Sequence, residues 1–131
     1  MENLIQNGEG DMITSKYVYS GDFKWGEKHG RGKVAYYEGG HYQGNFENNL
    51  RQGRGIFIWA NGDKYKGHWH KNNMHGEGRF IWYMGANFIG EFRDNKRHGK
   101  GVILEEDGLE HQGTWKKGQK DGLFQVLQTD Q

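Results

Sequence analysis

One stretch of the chain shows its organisation most clearly: residues 65–87 read YKGHWHKNNMHGEGRFIWYMGAN. In its first part Tyr65, Gly67 and Trp69 alternate with polar residues, so the three would share one side of an extended chain. Its second part alternates glycines and aromatic residues in the same way. Because a period of two is typical of β-strands, the stretch predicts two strands.

The same pattern recurs every 23 residues. Each copy begins with an aromatic residue, or with His111 in the fifth copy, followed by a glycine two residues on and a second aromatic two further. A fixed period of this kind is the signature of a repeat architecture. The predicted units are 19–41, 42–64, 65–87, 88–110 and 111–122 onward, after an N-terminal cap with an imperfect half-repeat at 1–18 and before a last strand and C-terminal tail at 123–131.

Turn residues separate the predicted strands. Glycine and asparagine tolerate the positive φ that tight hairpin turns require. They occupy one position between the two strands of every unit, namely Gly26, Asn49, Asn72, Asn95 and Gly118. A further glycine precedes each new unit. We therefore predict an all-β fold, an elongated single-layer antiparallel meander of about ten strands built from five β-hairpins.

The composition agrees with this fold and excludes several others. Among 131 residues there are 23 glycines, no proline and no cysteine. A fully paired ladder has no place for proline, and glycine that recurs inside strands indicates space for a neighbouring ring. Without cysteine there is no disulfide, thiolate metal site or cysteine nucleophile. A formal charge of +1 gives no basis for nucleic-acid binding.

The cellular setting is also an expectation from the sequence. The start of the chain is acidic and poor in apolar residues, which is unlike a signal or transit peptide. No apolar stretch approaches the roughly 18 residues of a membrane span. We therefore expect a cytoplasmic protein.

These residues resemble the MORN (membrane occupation and recognition nexus) repeat, whose pattern is YxGxWxxGxxHGxG. The resemblance covers about residues 19–122. The pattern's histidine is matched by His29, His75 and His98 and replaced by Gln52 and Asp121. The resemblance implies a non-catalytic scaffold, similar to structural parts of cytoskeletal or ciliary axonemal assemblies such as radial spokes.

A single-layer sheet leaves one face without a covering layer, and the segments outside the repeats are too short to cover it. We therefore expect glycines and neighbouring rings to hide some of the ring area and the rest to stay exposed and bind a partner. A purely structural stripe remains the alternative for any single ring. The rings of the predicted groove are Tyr19, Phe23, Tyr42, Phe46, Trp59, Tyr65, Trp69, Trp82, Phe88 and Phe92.

The sequence contains little that indicates a phosphate-binding, metal-binding or catalytic site. Gly30-Arg31-Gly32 does not continue into a phosphate-binding loop, and His68 with His70 lacks a third ligand. Repetition spreads every candidate acid or nucleophile along the sheet, whereas catalysis needs one convergent site. We therefore expect no enzyme activity, no cofactor and no metal.

Basic residues gather at Arg93, Lys96, Arg97 and Lys100. They predict either an edge for anionic lipid headgroups or, more simply, a solvated rim. The expected partners are protein subunits that place a peptide, a helix or a second MORN sheet in the groove. Membrane contact, a homodimer, and roles as a phosphoinositide tether or as a regulatory module for a separate enzyme stay open.

Overall fold

The computed structural model describes residues 7–128, where strands alternate with short turns. The strands are β1 (Gly8–Ile13), β2 (Tyr17–Lys24), β3 (Glu27–Tyr36), β4 (His41–Glu47), β5 (Leu50–Ile58), β6 (Lys64–His70), β7 (Asn73–Ile81), β8 (Asn87–Arg93), β9 (Lys96–Leu104), β10 (Leu109–Lys116) and β11 (Gln119–Gln128). They form one antiparallel sheet in which each strand pairs with its sequence neighbours. The predicted all-β meander is confirmed, with β1 making eleven strands.

The turn within each unit consists of two residues that both have positive φ, for example Lys71 at 45° and Asn72 at 73°. Two consecutive positive φ values define a type I′ turn, whose twist matches that of the flanking strands. The sequence indicated only the second of these positions. The first holds Trp25, Lys71 and Lys117 in three units, residue types that do not signal positive φ, and Asn48 and Asp94 in the other two.

Asparagine at the second turn position also joins each unit to the one before it. The Asn72 side chain accepts a hydrogen bond from the Arg51 backbone N–H at 2.9 Å. The Asn72 backbone N–H donates in return to the Arg51 carbonyl at 3.0 Å. Asn49 and Asn95 make the same pair of bonds. Gly118 has only the backbone bond, so asparagine supplies a connection that glycine cannot.

Two glycines face one another in the first four units, as Gly44 and Gly55 do in the second. The Tyr42 ring lies across this pair. A Cβ added at Gly44 would stand 2.7 Å from the Tyr42 hydroxyl, and one added at Gly55 would overlap the ring. The predicted reason for glycine within the strands therefore holds. The equivalent pairs are Gly21 with Gly32, Gly67 with Gly78, and Gly90 with Gly101.

A bulge or register shift lies beside the glycine pair in each of the first four units. In the second unit three residues of β5, 52–54, face the single residue Asn45 of β4. The middle one, Gly53, has a φ of 88°. Such bulges bend a strand and increase its local twist.

Replacing Gly55 by Ala should destabilise the protein by about 2 kcal/mol or more, because the new methyl group overlaps the buried Tyr42 ring and the ring has no free space to enter. Urea denaturation measures the change. Gln43→Ala, at an exposed position of the neighbouring strand, is the control and should change stability by less than about 0.5 kcal/mol. Equal stability of the two variants would contradict this packing.

Replacing Asn72 by Gly should cost about 1 kcal/mol, because glycine keeps the positive φ but leaves the Arg51 backbone N–H without its acceptor. Asn48→Gly is the matched control, since Asn48 also has positive φ but shows no such side-chain bond. Thermal unfolding of both variants gives the comparison. A larger loss for Asn48→Gly than for Asn72→Gly would exclude the proposed role.

Candidate functional site

The buried core of this protein lies on one face of the sheet, here called the ring face. Nine rings follow one another along it and are only 0–6% exposed. We call them the inner row. Its members, in spatial order, are Phe23, Tyr19, Phe46, Tyr42, Trp69, Tyr65, Phe92, Phe88 and Trp115.

Each ring of the inner row meets the next edge to face. The centroids are 4.9–5.5 Å apart and the planes are inclined by 79–90°. Contacts within a unit, such as Tyr42–Phe46, alternate with contacts between units, such as Tyr42–Trp69. Each such pair contributes roughly 0.5–1.5 kcal/mol beyond the area it buries. The row therefore links neighbouring units into one continuous core.

Eight of the ten rings predicted to stay exposed belong to this inner row, and for them the expected exposure is wrong. From the sequence, glycines and neighbouring rings are expected to hide only part of the ring area. Instead the first ring of a unit lies on the glycine pair and the second fills the space between adjacent units. The eight are Tyr19, Phe23, Tyr42, Phe46, Tyr65, Trp69, Phe88 and Phe92.

The tyrosine hydroxyls of the inner row bind the backbone beside the bulges. Tyr42 donates a hydrogen bond to the Asn45 carbonyl at 2.8 Å, and Tyr65 donates to the His68 carbonyl at 2.9 Å. Burial raises the pKa of Tyr42 and of Tyr19 to about 12, and it raises the pKa of Tyr65 as well. Each of these hydroxyls therefore connects its ring, in neutral form, to a backbone carbonyl of the same strand.

A second set of rings lies on the ring face and is only half-buried. We call it the outer row, and it consists of Tyr17, Tyr36, Phe57, Trp59, Phe80 and Trp82. Trp59 is 4.7 Å from Phe57 and 5.4 Å from Phe80, and Phe80 is 5.1 Å from Trp82 (ring centroids). The outer row thus forms a connected aromatic strip that solvent reaches.

Of the predicted groove residues, only Trp59 and Trp82 lie in this strip. The other four members of the outer row were missed. A signal for them was present, since Phe57 and Phe80 are themselves 23 residues apart. Alternation shows which face a ring occupies, but it does not show which of two rings on that face is covered.

Positive side chains lie against the rings at a third repeated position. Lys28, Arg51, Arg97 and Lys120 share this position, and we call them the cation column; Met74 takes the third place. The Arg51 guanidinium carbon is 4.9 Å from the Trp69 centroid. The Lys28 ammonium is 4.8 Å from the Tyr17 centroid and 2.9 Å from the Tyr17 hydroxyl.

The cation column also ties units together through carbonyl groups. Arg51 donates to the Asn72 carbonyl at 2.9 Å, and Arg97 donates to the Gly118 carbonyl at 2.7 Å. Burial lowers the pKa of Arg97. Among residues 7–128, the contact at ion-pair distance joins His111 to Glu105 at 3.8 Å, and it includes no member of the cation column. Neutral groups therefore hold these cations.

A cavity of about 240 Å³ opens on the ring face where Met74 replaces a cation. Its apolar wall comes from Met74, Phe80, Trp82 and Phe92, and Arg97 with Lys96 adds positive charge. A cavity below the usual 300–1,000 Å³ of small-molecule sites suits a single side chain.

The predicted basic edge is divided between the two faces of the sheet. Arg97 lies on the ring face, 5.9 Å from the Trp82 centroid. Lys100 lines a cavity of about 600 Å³ on the opposite face, together with Arg79 and Glu91. Lys96 and Arg93 are exposed beside the hairpin turn. Strand alternation therefore places Lys100 on the opposite face from Arg97 and Lys96, which line the cavity beside Met74.

The histidines do not converge on a common centre in the part of the chain that the structure describes. The closest pair of rings, His70 and His75, has centroids 5.5 Å apart. No group of three histidine, aspartate or glutamate side chains between residues 7 and 128 could hold a metal ion. The same residues contain no helix that could cross a membrane.

The chain belongs to the MORN repeat family. The family model matches residues 19–41, 42–64, 65–86, 88–108 and 111–123, which together are most of the chain. MORN repeats generally take part in interactions with proteins or membranes. No curated protein matches the chain.

Raising the pH from 10 to about 12 should lower the free energy of unfolding. The unfolded chain releases its tyrosine protons near pH 10, whereas Tyr19 and Tyr42 keep theirs in the folded state up to about 12. The unfolded state thus binds fewer protons in this interval, and stability falls with pH. Urea denaturation at several pH values measures the slope. Tyr42→Phe should have a shallower slope, and an unchanged slope would contradict the assignment.

Proposed function

We propose that this chain is a non-catalytic interaction module that binds a protein partner through the outer row. The observation that carries the proposal is the connected strip of half-exposed rings, which includes Trp59 and Trp82. Exposed aromatic patches mark interaction sites, and tryptophan and tyrosine dominate the energetics of interfaces. The buried inner row beneath the strip holds it on a rigid base, which lowers the entropy cost of binding.

The dimensions of the strip suit a peptide segment. It runs from Tyr17 in β2 to Trp82 beside the end of β7, five strand spacings away. At about 4.8 Å per spacing this is roughly 24 Å. A helix of about 16 residues has that length. One helical or extended segment of a partner would therefore contact several units at once.

A structural role in a larger assembly follows from the same surface. Repeats that each contact only their neighbours form an extended binding surface rather than an enclosed active site. The resemblance to cytoskeletal and ciliary MORN scaffolds supports placing that assembly in the cytoskeleton or cilium. A regulatory role toward a separate enzyme would use the same strip. An anionic-membrane tether has less support, since the predicted basic edge is divided between two faces.

The double variant Trp59→Ala with Trp82→Ala should lose partner binding while keeping the sheet, because both rings lie outside the inner row. Affinity purification from cells that express the tagged chain, read by quantitative mass spectrometry, should show that the specific partners fall by about tenfold or more. Circular dichroism and thermal unfolding would show that the fold remains.

Trp25→Ala is the matched control, since Trp25 is 67% exposed at a turn outside the outer row. It should leave partner recovery unchanged. Equal recovery with the native chain, the double variant and the control would contradict binding through the outer row.

A further inference from the structure

We propose that the partner contacts this chain with an acidic segment, which places an apolar side chain in the cavity beside Met74 and a carboxylate beside Arg97 and Lys96. The inference rests on the proposed function and specifies the chemistry of the partner. Its occupant is a peptide segment in which aspartate or glutamate stands next to an aliphatic or aromatic residue.

The first support is the charge of the ring face. From β2 to β9, the strand positions on this face hold aromatic residues, glycines, Val34, Met74, Ile103 and the cations Lys28, Arg51 and Arg97. No aspartate or glutamate occupies any of them. The positive charges are therefore held only by π faces, hydroxyls and carbonyls. The acid at the repeat position of Trp59 and Trp82 is Glu105, and it contacts His111 at 3.8 Å instead of a cation of the column. A carboxylate that reaches Arg51 or Arg97 therefore meets a cation that forms no ion pair with an acid among the described residues.

The second support is the incomplete coordination of the two arginines. A guanidinium has five N–H donors. Arg97 donates to the Gly118 carbonyl, and Arg51 donates to the Asn72 carbonyl and, at 3.4 Å, to the Tyr36 hydroxyl. The Arg51 Nε is buried, so a partner would reach only the Nη donors of this side chain. Each guanidinium has more N–H donors than these hydrogen bonds use, and a carboxylate binds a guanidinium with two parallel bonds.

The third support is the origin of the cavity. Arg51 covers Phe57 and Trp69 with its guanidinium, whose central carbon is 5.3 and 4.9 Å from their centroids. Met74 is the equivalent residue one unit later, and there the equivalent rings, Phe80 and Phe92, line a cavity. The chain therefore leaves space for one apolar side chain directly beside Arg97.

Arg51 offers the same partner segment a second point of contact. Arg51 lies two units, or four strand spacings, before Arg97, which is about 19 Å along the sheet. A segment that follows the outer row would bring a second acidic residue to Arg51. Lys28 is only 8% exposed among the rings. Such recessed cations suit individual carboxylate side chains better than the headgroups of a flat bilayer.

A selection from displayed random peptides against the full chain tests the inference. The enriched sequences should share an acidic residue beside a bulky apolar one. Synthetic copies of these peptides should bind about tenfold or more weaker when the acid is replaced by its amide, because charged hydrogen bonds are lost. Isothermal titration measures both affinities. Enrichment of neutral or basic sequences, or equal affinity of acid and amide forms, would overturn the inference.

Met74→Arg is the sharpest variant, because it fills the cavity as Arg51 fills the equivalent place in the preceding unit. The affinity of the selected peptides should fall by about tenfold or more, while the melting temperature should stay near that of the native chain. Lys96→Glu should also weaken them. Lys66→Glu makes the same change of net charge on the opposite face and should have no effect. Unchanged affinity in both Met74→Arg and Lys96→Glu would overturn the proposed site.

Different results are expected if the acidic partner is wrong and if binding through the outer row is wrong. Neutral peptides that lose binding in the Trp59→Ala, Trp82→Ala variant would leave the proposed function standing and overturn the acidic partner. Selected peptides whose affinity is unchanged in the Trp59→Ala, Trp82→Ala variant would contradict both the acidic partner and binding through the outer row. Vesicles of phosphatidylcholine and phosphatidylserine provide the membrane comparison, and displacement of the selected peptides by these vesicles would overturn the inference in favour of a lipid surface.

Discussion

The placement of an aromatic ring across two facing glycines is the contact on which the rest of this structure depends. Tyr42 lies over Gly44 and Gly55 so closely that a methyl group on Gly55 would overlap the ring. Glycine is unfavourable inside strands because it loses much conformational entropy and packs no side chain. Here that cost is offset, because the backbone itself becomes the surface against which a large ring is buried. A sheet with one layer thereby acquires a core without a second layer.

The core is continuous because every contact is repeated between neighbouring units. Edge-to-face rings, asparagine turns and the carbonyl bonds of Arg51 and Arg97 all connect one unit to the next. The last unit departs from the pattern at Phe124, where the others have a second glycine. The Phe124 ring lies 4.7 Å from Trp115 and packs on Gly113, so it closes the inner row at its end. Nearest-neighbour coupling of this kind is typical of repeat proteins.

Two sets of rings on the same face differ in burial, and we assign the structural role to one and the proposed binding role to the other. The inner row is covered and its tyrosine hydroxyls are engaged by backbone carbonyls, so it is committed to the fold. The outer row is half-buried and keeps contact with solvent, as do Arg51 and Arg97, whereas Lys28 is only 8% exposed. Truncation of an inner ring would cost about 3–5 kcal/mol of stability, which would obscure any effect on binding. Function is therefore best examined through the outer row alone.

The sequence by itself determined the repeat, its period of 23 residues, the strands and the glycine positions, because these follow from local alternation and turn chemistry. It also placed the aromatic residues on one face. Only the tertiary structure decided which rings are buried, since that depends on how Tyr42 of one unit meets Trp69 of the next. Arg97 and Lys100 differ in this respect, because they are three residues apart in β9 and strand alternation alone assigns them to opposite faces. Burial is a property of contacts between units, and a pattern read along one strand does not contain it.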